Sequence, residues 1–181
     1  MTATTTAFST AWAMPSRWTF AIPPVRDFLE RHTAGCERIV DPFCGRSELA
    51  QYRNDLSWDG GLEAEMFVRH LGARGVVADC VLFDPPYSPR QVAECYRAKG
   101  RTVTQGDTQD AVMRKRVRAA LVGILEPGGL ALSFGWQSNG FGRNWETLEI
   151  LLVQHGGAHN DTICVAQRKP VLPLFGEGAA A

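Results

Sequence analysis

Short apolar runs alternate with amphipathic stretches along this chain, and the alternation predicts its elements. Val25, Phe28 and Leu29 give the segment Asp27 to His32 a helical spacing, introduced by Pro23-Pro24 where a helix start accepts proline. Arg38-Ile39-Val40 reads as a strand that runs into Asp41-Pro42-Phe43-Cys44-Gly45-Arg46-Ser47, after which Glu48 to Gln51 can open a helix. Tyr52 to Leu56 reads as a second strand ending in a carboxylate, and Glu63 to Leu71 returns to helical spacing. Val81-Leu82-Phe83 is a buried strand that stops at Asp84-Pro85-Pro86-Tyr87. Residues 88 to 110 are polar and without a clear period, an excursion beside the strand ends, before Ala111 to Leu125 resumes a helical pattern. Leu130 to Phe134, following Pro127-Gly128-Gly129, then Thr147 to Val153 and Thr162 to Ala166 complete the strands.

Strands alternating with helices imply an α/β domain with a mainly parallel sheet covered on both faces. The short link through residues 155 to 161 implies an antiparallel last strand. With 45% hydrophobic and 21% charged residues, 181 residues suffice for one domain with a substantial core and leave hardly any room for a separate recognition domain. The expected organisation is a flexible leader over 1–14, one domain over 15–169 with residues 88–110 as a substrate-facing insertion, and a loose tail over 170–181.

Charge and cysteine usage narrow the picture. Nineteen basic and nineteen acidic side chains cancel, so any affinity for a polyanion needs a local patch. The concentrated positive region is Arg90, Arg97, Lys99 and Arg101 with Arg114-Lys115-Arg116 and Arg118, which reads either as phosphate contacts or as a solvated helix face balanced by Asp107 and Asp110. Five cysteines without Cys-x-x-Cys spacing suggest reduced thiols and a cytoplasmic setting. No apolar run approaches the roughly 20 residues of a membrane span, and the N-terminus lacks the regions of a signal peptide, so a soluble protein without a membrane partner is expected.

Candidate chemistry concentrates at Asp84-Pro85-Pro86-Tyr87. Ligands of open α/β sheets bind outside the carboxyl ends of strands, and two prolines there stiffen the loop and remove backbone donors. A surface turn with Tyr87 packed on proline is the structural alternative.

Asp84-Pro85-Pro86-Tyr87 after a hydrophobic strand resembles the catalytic motif of S-adenosylmethionine-dependent methyltransferases that modify exocyclic amino groups of nucleic-acid bases. Upstream, Asp41-Pro42-Phe43-Cys44-Gly45 resembles their first cofactor motif, with Ser47 in place of its second glycine. Segments 134–142 and 155–162 look like those of small phage and bacterial adenine-specific methyltransferases, so the resemblance covers most of residues 15–169. It implies the Rossmann-like class I methyltransferase fold, S-adenosyl-L-methionine as cofactor, and methyl transfer to the N6 amino group of adenine in DNA, in a bacterial or phage-infected cell. Thr19, Phe20, Asp41, Pro42, Phe43, Cys44, Gly45, Asn54, Asp55, Leu56, Glu63 and Ala64 would hold the cofactor, with Glu65 competing for the place of Glu63. Asp84, Pro85, Pro86 and Tyr87 would catalyse. Trp136 and Asn139 would lie beside the substrate, core packing being the alternative for Trp136, and Arg90, Arg114 and Lys115 would meet DNA.

No metal is expected, because His155 and His159 have no carboxylate or cysteine at ligand spacing. A nicotinamide-binding domain is disfavoured, because Gly-x-Gly-x-x-Gly is missing after the first strand. Alternatives that keep the motif are adenine in RNA, the N4 amino group of cytosine, or a catalytically silent methyltransferase-like binding subunit. Recognition of a sequence would fall to the insertion, to a homodimer or to a partner subunit.

Overall fold

The computed structural model describes residues 5–87, 89–98, 100, 111–157 and 159–171. In chain order the elements are β1 (Ala7–Trp12), a 3-10 turn (Thr19–Ala21), α1 (Pro23–Thr33), β2 (Ile39–Asp41), β3 (Tyr52–Arg53), α2 (Ala64–Ala73) and β4 (Ala78–Phe83). They continue with α3 (Pro89–Ala98), α4 (Ala111–Ile124), β5 (Leu125–Gly135), β6 (Glu146–Gln154) and β7 (Thr162–Arg168). Among the described residues the strands form one seven-stranded sheet in the order β1-β6-β7-β5-β4-β2-β3. All pairings are parallel except those of β7, which runs antiparallel to both β5 and β6. This is the Rossmann-like, mainly parallel α/β sheet that the sequence led us to expect, with the antiparallel last strand inserted between β5 and β6.

Side chains alternate across the central strands, and each set finds a helix. Cys80 and Leu82 join Leu132, Phe134 and Val153 under Val25, Phe28 and Leu29 of α1. Val81, Phe83 and Ala131 point the other way, into Val68 and Leu71 of α2 and Val117 and Leu121 of α4. A side chain as fully buried as Leu82 contributes about 1.5–3 kcal/mol. Polar ties fix the edges. Glu149 on β6 accepts from Arg31 at 2.8 Å and pairs with His32 at 2.9 Å on α1, while Asp79 accepts the Glu37 and Arg38 N–H groups that precede β2 at 2.9 and 3.0 Å. Lys169 caps α4 by donating to the carbonyls of Val122 and Leu125.

Several expectations change. The leader over 1–14 contains β1, an edge strand paired with β6 and anchored by the Thr6 hydroxyl on the Thr147 carbonyl at 3.0 Å. Residues 48–51 form no helix. Too few residues separate the turn after β2 from β3 to recover the cost of a helix nucleus, and Ala50 buries instead in the cluster beneath α1. The second strand is confined to Tyr52–Arg53, since Asn54 and Asp55 turn away to bind loops. The excursion after Asp84 starts as a helix, α3, whose amphipathic side buries Val92. Residues 101–110 and the tail from 172 lie outside the described residues. β5 starts earlier than expected and takes in Pro127-Gly128-Gly129. No helix among the described residues is long and apolar enough to cross a membrane.

The link from β5 to β6 carries no helix, and Gln167 of β7 holds it instead. Its side-chain oxygen accepts the Phe141 N–H at 2.6 Å, and its amide donates to the Gly142 carbonyl at 3.2 Å and the Thr147 hydroxyl at 3.0 Å. Gln167→Leu orphans these groups and should lower unfolding stability by about 2–3 kcal/mol in urea titration. A loss within error would show that the link does not depend on this amide.

Candidate active site

Strands β2, β3 and β4 end side by side, and the loops that leave them line one cleft of about 1030 Å³, at the upper end of the size of small-molecule sites. The 15–22 segment before α1 forms the opposite wall, so one cavity gathers residues far apart in the chain.

The turn after β2 supplies Pro42, Phe43, Cys44 and Gly45. Gly45 has φ +55°, and a Cβ there would stand 2.9 Å from the Trp18 ring, so both conformation and space require glycine. Its N–H donates to Asp55 Oδ2 at 2.9 Å, and its carbonyl accepts Trp58 Nε1–H at 3.2 Å. Asp55 Oδ1 accepts the Ser57 N–H at 2.8 Å and the Ser57 hydroxyl. Asp55 therefore organises two loops while lining the cleft with Leu56, and a carboxylate retains further acceptor capacity for a ligand hydroxyl.

Asp41 and Asn54 stand behind this wall rather than in it. Asn54 is buried, its amide donating to the Pro42 and Leu62 carbonyls at 3.3 and 2.9 Å and accepting the Leu62 N–H at 3.0 Å. That bracket sets the spacing between the β2 and β3 loops. Asp41 is wholly buried; Oδ1 accepts the Phe43 N–H at 3.0 Å, and Oδ2 has no partner. Burial pushes its carboxyl up to about 8 against the Phe43 hydrogen bond, with the charges of Asp84 and Asp55 adding to the rise.

Glu63 and Ala64 line the cleft where α2 begins, and Glu63 accepts the Tyr96 hydroxyl of α3 at 3.3 Å. Glu65 also borders the cavity, but its carboxylate holds Arg69 at 2.8 Å one turn along the helix. Thr19 and Phe20 line the facing wall. Beside them Trp18 carries the guanidinium of Arg17 at 4.7 Å and that of Arg46 at 5.0 Å from its ring centre.

Asp84, Pro85, Pro86 and Tyr87 all line the cleft. Burial pushes the Asp84 carboxyl up to about 7, opposed by a hydrogen bond from the Thr19 side chain. Tyr87 donates its hydroxyl to the Phe134 carbonyl, and its own N–H donates to Gln91 Oε1 at 3.0 Å. Burial and the Asp84 charge raise its phenol well above the ordinary value, so it stays neutral. The ring covers Gly135, where a Cβ would overlap it, and lies 5.9 Å from the Trp136 ring at 33°. Trp136 is 47% exposed, which removes it from the core and makes it, with Tyr87, an aromatic wall.

The basic residues divide. Arg114 lies 6.0 Å above the Tyr87 ring, and Arg118, one turn later on α4, lies 5.1 Å over Phe83 and 5.7 Å over Phe141. Arg118 Nε is buried without a hydrogen-bond partner, and neither guanidinium meets a carboxylate among the described residues. Lys115 and Asn139 are exposed and away from the cleft, while the Arg90 side chain lies outside the described residues. His155 is a buried tether, with Nδ1 2.9 Å from the Ala13 carbonyl and Nε2 2.9 Å from the Thr162 hydroxyl. No cluster of three metal-ligating side chains occurs among the described residues. Cys36, Cys44, Cys80 and Cys164 carry free thiols.

Sequence reasoning did not single out the Trp18 stack or Tyr96. The adjacent Arg17-Trp18 was a visible signal for the first, but its meeting with Arg46 and the Tyr96–Glu63 bond both require the folded loops.

Asp41 generates a pH prediction. The unfolded chain releases carboxyl protons at about pH 4, whereas folded Asp41 keeps its proton to about 8 and Asp84 to about 7. The folded state then holds more protons between these limits, so stability falls as pH rises from about 4 to 8 and levels off above. Asp41→Asn should flatten this fall, seen as a smaller loss of Tm between about pH 5 and pH 8.5. An unchanged slope would remove Asp41 as its source.

No family model matches the chain, and no curated protein matches it. Among solved structures it is similar to the N-methyltransferase NodS from Bradyrhizobium japonicum WM9 at 12% identity, over 91% of this chain and 86% of that one, with a TM-score of 0.40. The same protein in complex with S-adenosyl-L-homocysteine is similar at 11% identity, over 91% and 79%, with a TM-score of 0.41.

Proposed function

We propose that this chain transfers a methyl group from S-adenosyl-L-methionine to the N6 amino group of adenine in DNA. The observation that carries the reading is the meeting of Asp84, Pro85 and Tyr87 with the Gly45 turn, Asp55 and Glu63 in a single cleft.

The residues present fit the cofactor. The Pro42–Gly45 turn admits a ligand close to backbone because Gly45 has no side chain, Asp55 offers acceptors suited to ribose hydroxyls, and Glu63 suits an exocyclic amino donor. When bound, the cofactor supplies a methyl already activated on sulfur, so no metal is required for the chemistry.

The chain's own residues do the rest. An adenine amino nitrogen is a poor nucleophile because its lone pair is delocalised into the ring. The Asp84 carboxylate and the Pro85 carbonyl, each accepting one amino hydrogen, favour tetrahedral geometry and stabilise the positive charge that grows on nitrogen, and the extra proton of the methylated nitrogen then leaves to Asp84 or water. The Tyr87–Trp136 wall offers stacking for a base out of its helix, offsetting part of the few kcal/mol that flipping costs. Thr19 orients Asp84 and, by bonding the charged form, keeps its carboxyl from rising further.

Arg114 and Arg118 support a phosphate-bearing substrate. Two like charges one turn apart repel; Arg114 lies over the Tyr87 ring and Arg118 over Phe83 and Phe141, and neither meets a carboxylate among the described residues, which suits an anionic ligand near the loop better than a neutral amine. The same features accept RNA, so product identification decides the polymer.

Ionised Asp84 is the stronger acceptor and carries the negative charge that stabilises the positive charge growing on nitrogen. kcat/KM should therefore rise with pH to a plateau above about 7, and Asp84→Asn should cut turnover by roughly 100-fold or more with cofactor affinity little changed. Wild-type turnover in the variant would remove Asp84 from the mechanism. Incubation with labelled S-adenosylmethionine and DNA or RNA, followed by nucleoside mass spectrometry, should yield N6-methyldeoxyadenosine. Methylated nucleoside from RNA alone would overturn the DNA assignment, and cofactor binding without product would favour a silent subunit. Charge removal in Arg114→Gln/Arg118→Gln should weaken DNA binding and reduce its salt slope. An unchanged slope would place the phosphate contacts elsewhere.

A further inference from the structure

β1 closes one end of the sheet, and the features of this edge identify what fits it. The Ala13 N–H that follows the strand donates to the Gln154 carbonyl of β6 at 3.1 Å. Backbone groups alternate along a strand, so Ser9 and Ala11 also face β6, while the N–H and C=O groups of Phe8, Thr10 and Trp12 point away from it. Native sheets usually blunt such an edge with charge, proline or a bulge. Residues 1 to 16 contain no charged side chain, β1 contains no proline, and its six residues pair with β6 without a register shift.

The side chains on one face are equally bare. Phe8 is 67% exposed and Trp12 65%, beside Ile150 and Leu152 of β6, on the face opposite to α1. α1 covers the other side, where Glu149 holds Arg31 and His32.

We propose that β1 pairs antiparallel with β1 of a second copy of this chain about a two-fold axis at Thr10. Residues directly opposite in an antiparallel pair share a face, so the axis must set one residue against its own copy. An axis at Thr10 opposes Phe8 to Trp12 of the other copy, Trp12 to Phe8, and Thr10 to Thr10. These are the three residues whose backbone groups point outward, so each pair exchanges both hydrogen bonds, whereas an axis at Ser9 or Ala11 leaves both aromatics facing Thr6, Thr10 or Met14, and an axis at Phe8 or Trp12 leaves the other aromatic without an aromatic partner. Cross-strand aromatic and Thr–Thr pairs are among those that stabilise sheets.

Charge and area agree with a second copy. A self-pairing strand sets identical side chains near one another, which an uncharged strand tolerates and a charged one does not. The four aromatic side chains, each about two-thirds exposed, offer roughly 500 Å². That is about half of the roughly 1,000 Å² a specific interface needs, and the strand backbones with Ser9, Ala11 and Met14 contribute the remainder. The pairing joins two sheets into one. Because the strands oppose, the two clefts open in opposite directions, so the dimer presents two separate sites rather than one composite site.

Sedimentation velocity of the full chain tests the proposal, with Thr10→Pro as the decisive variant. Proline at this position removes an outward N–H and leaves the β6 ladder intact, so the variant should keep its circular-dichroism spectrum and Tm and sediment at half the parent mass. Thr10→Cys should form, under mild oxidation, a dimer linked through the introduced thiol of each copy, identified by peptide mass spectrometry, since opposed Cα atoms about 5.5 Å apart suit a disulfide. A parent chain that is monomeric at tens of micromolar would overturn the proposal. So would a dimer that survives Thr10→Pro, or a Thr10→Cys chain that gives no such link.

Discussion

Burying a carboxylate costs free energy unless hydrogen bonds or charges compensate it, and here two neighbouring strands, β2 and β4, deliver one each to the same rim of the sheet. Asp41 is wholly buried with one oxygen unpartnered, and Asp84 lies close enough to raise its carboxyl further. The surrounding loops answer this constraint. The Phe43 N–H turns back to Asp41, and the Thr19 side chain crosses from the 15–22 segment to Asp84. The wall of the cleft is thus assembled by donors drawn towards two acids.

The third acid of the rim behaves differently. Asp55 collects the Gly45 N–H and both Ser57 donors, so its charge is compensated within the loops it joins. Asn54 brackets the same loops from behind with a neutral amide. Carboxylates of one residue type therefore divide by environment: Asp41 supports the wall from behind, Asp55 organises two loops, and Asp84 lines the cleft with a carboxyl pushed up to about 7. Separation of protonation behaviour through unequal burial is how one fold holds both structural and reactive acids.

Among the described residues, four basic side chains at or near the cleft lie on aromatic rings. Arg17 and Arg46 lie on Trp18, Arg114 on Tyr87, and Arg118 on Phe83 and Phe141. A chain without net charge in this way presents Arg17 and Arg46 at its cleft on the Trp18 ring, and neither pairs with a carboxylate among the described residues. The sequence showed Arg114 to Arg118 as a run on a helix, but not where its members go: Arg114 lies over the Tyr87 ring, Arg118 one turn on lies over Phe83 and Phe141, Arg116 lines the cleft, and Lys115 is exposed.

By itself the sequence determined the order of strands β2 to β7 along the chain and the antiparallel last strand, and it singled out the loop at Asp84, which the fold sets on the wall of the cleft. Those features follow from local periodicity and from proline and glycine at strand ends, which act over a few residues. Tertiary structure decided the rest. β1 emerged from an apparent leader because its partner, β6, lies more than a hundred residues away, and no local pattern reports a pairing of that kind. Asn54 and Asp41 moved behind the cleft, Asn139 and Lys115 outside it, and Trp18, Tyr96 and Arg118 came to it or to its floor, because a side chain's role depends on which distant surfaces it meets. Periodicity reports which side of its own element a residue occupies, whereas packing and hydrogen bonding choose what stands opposite.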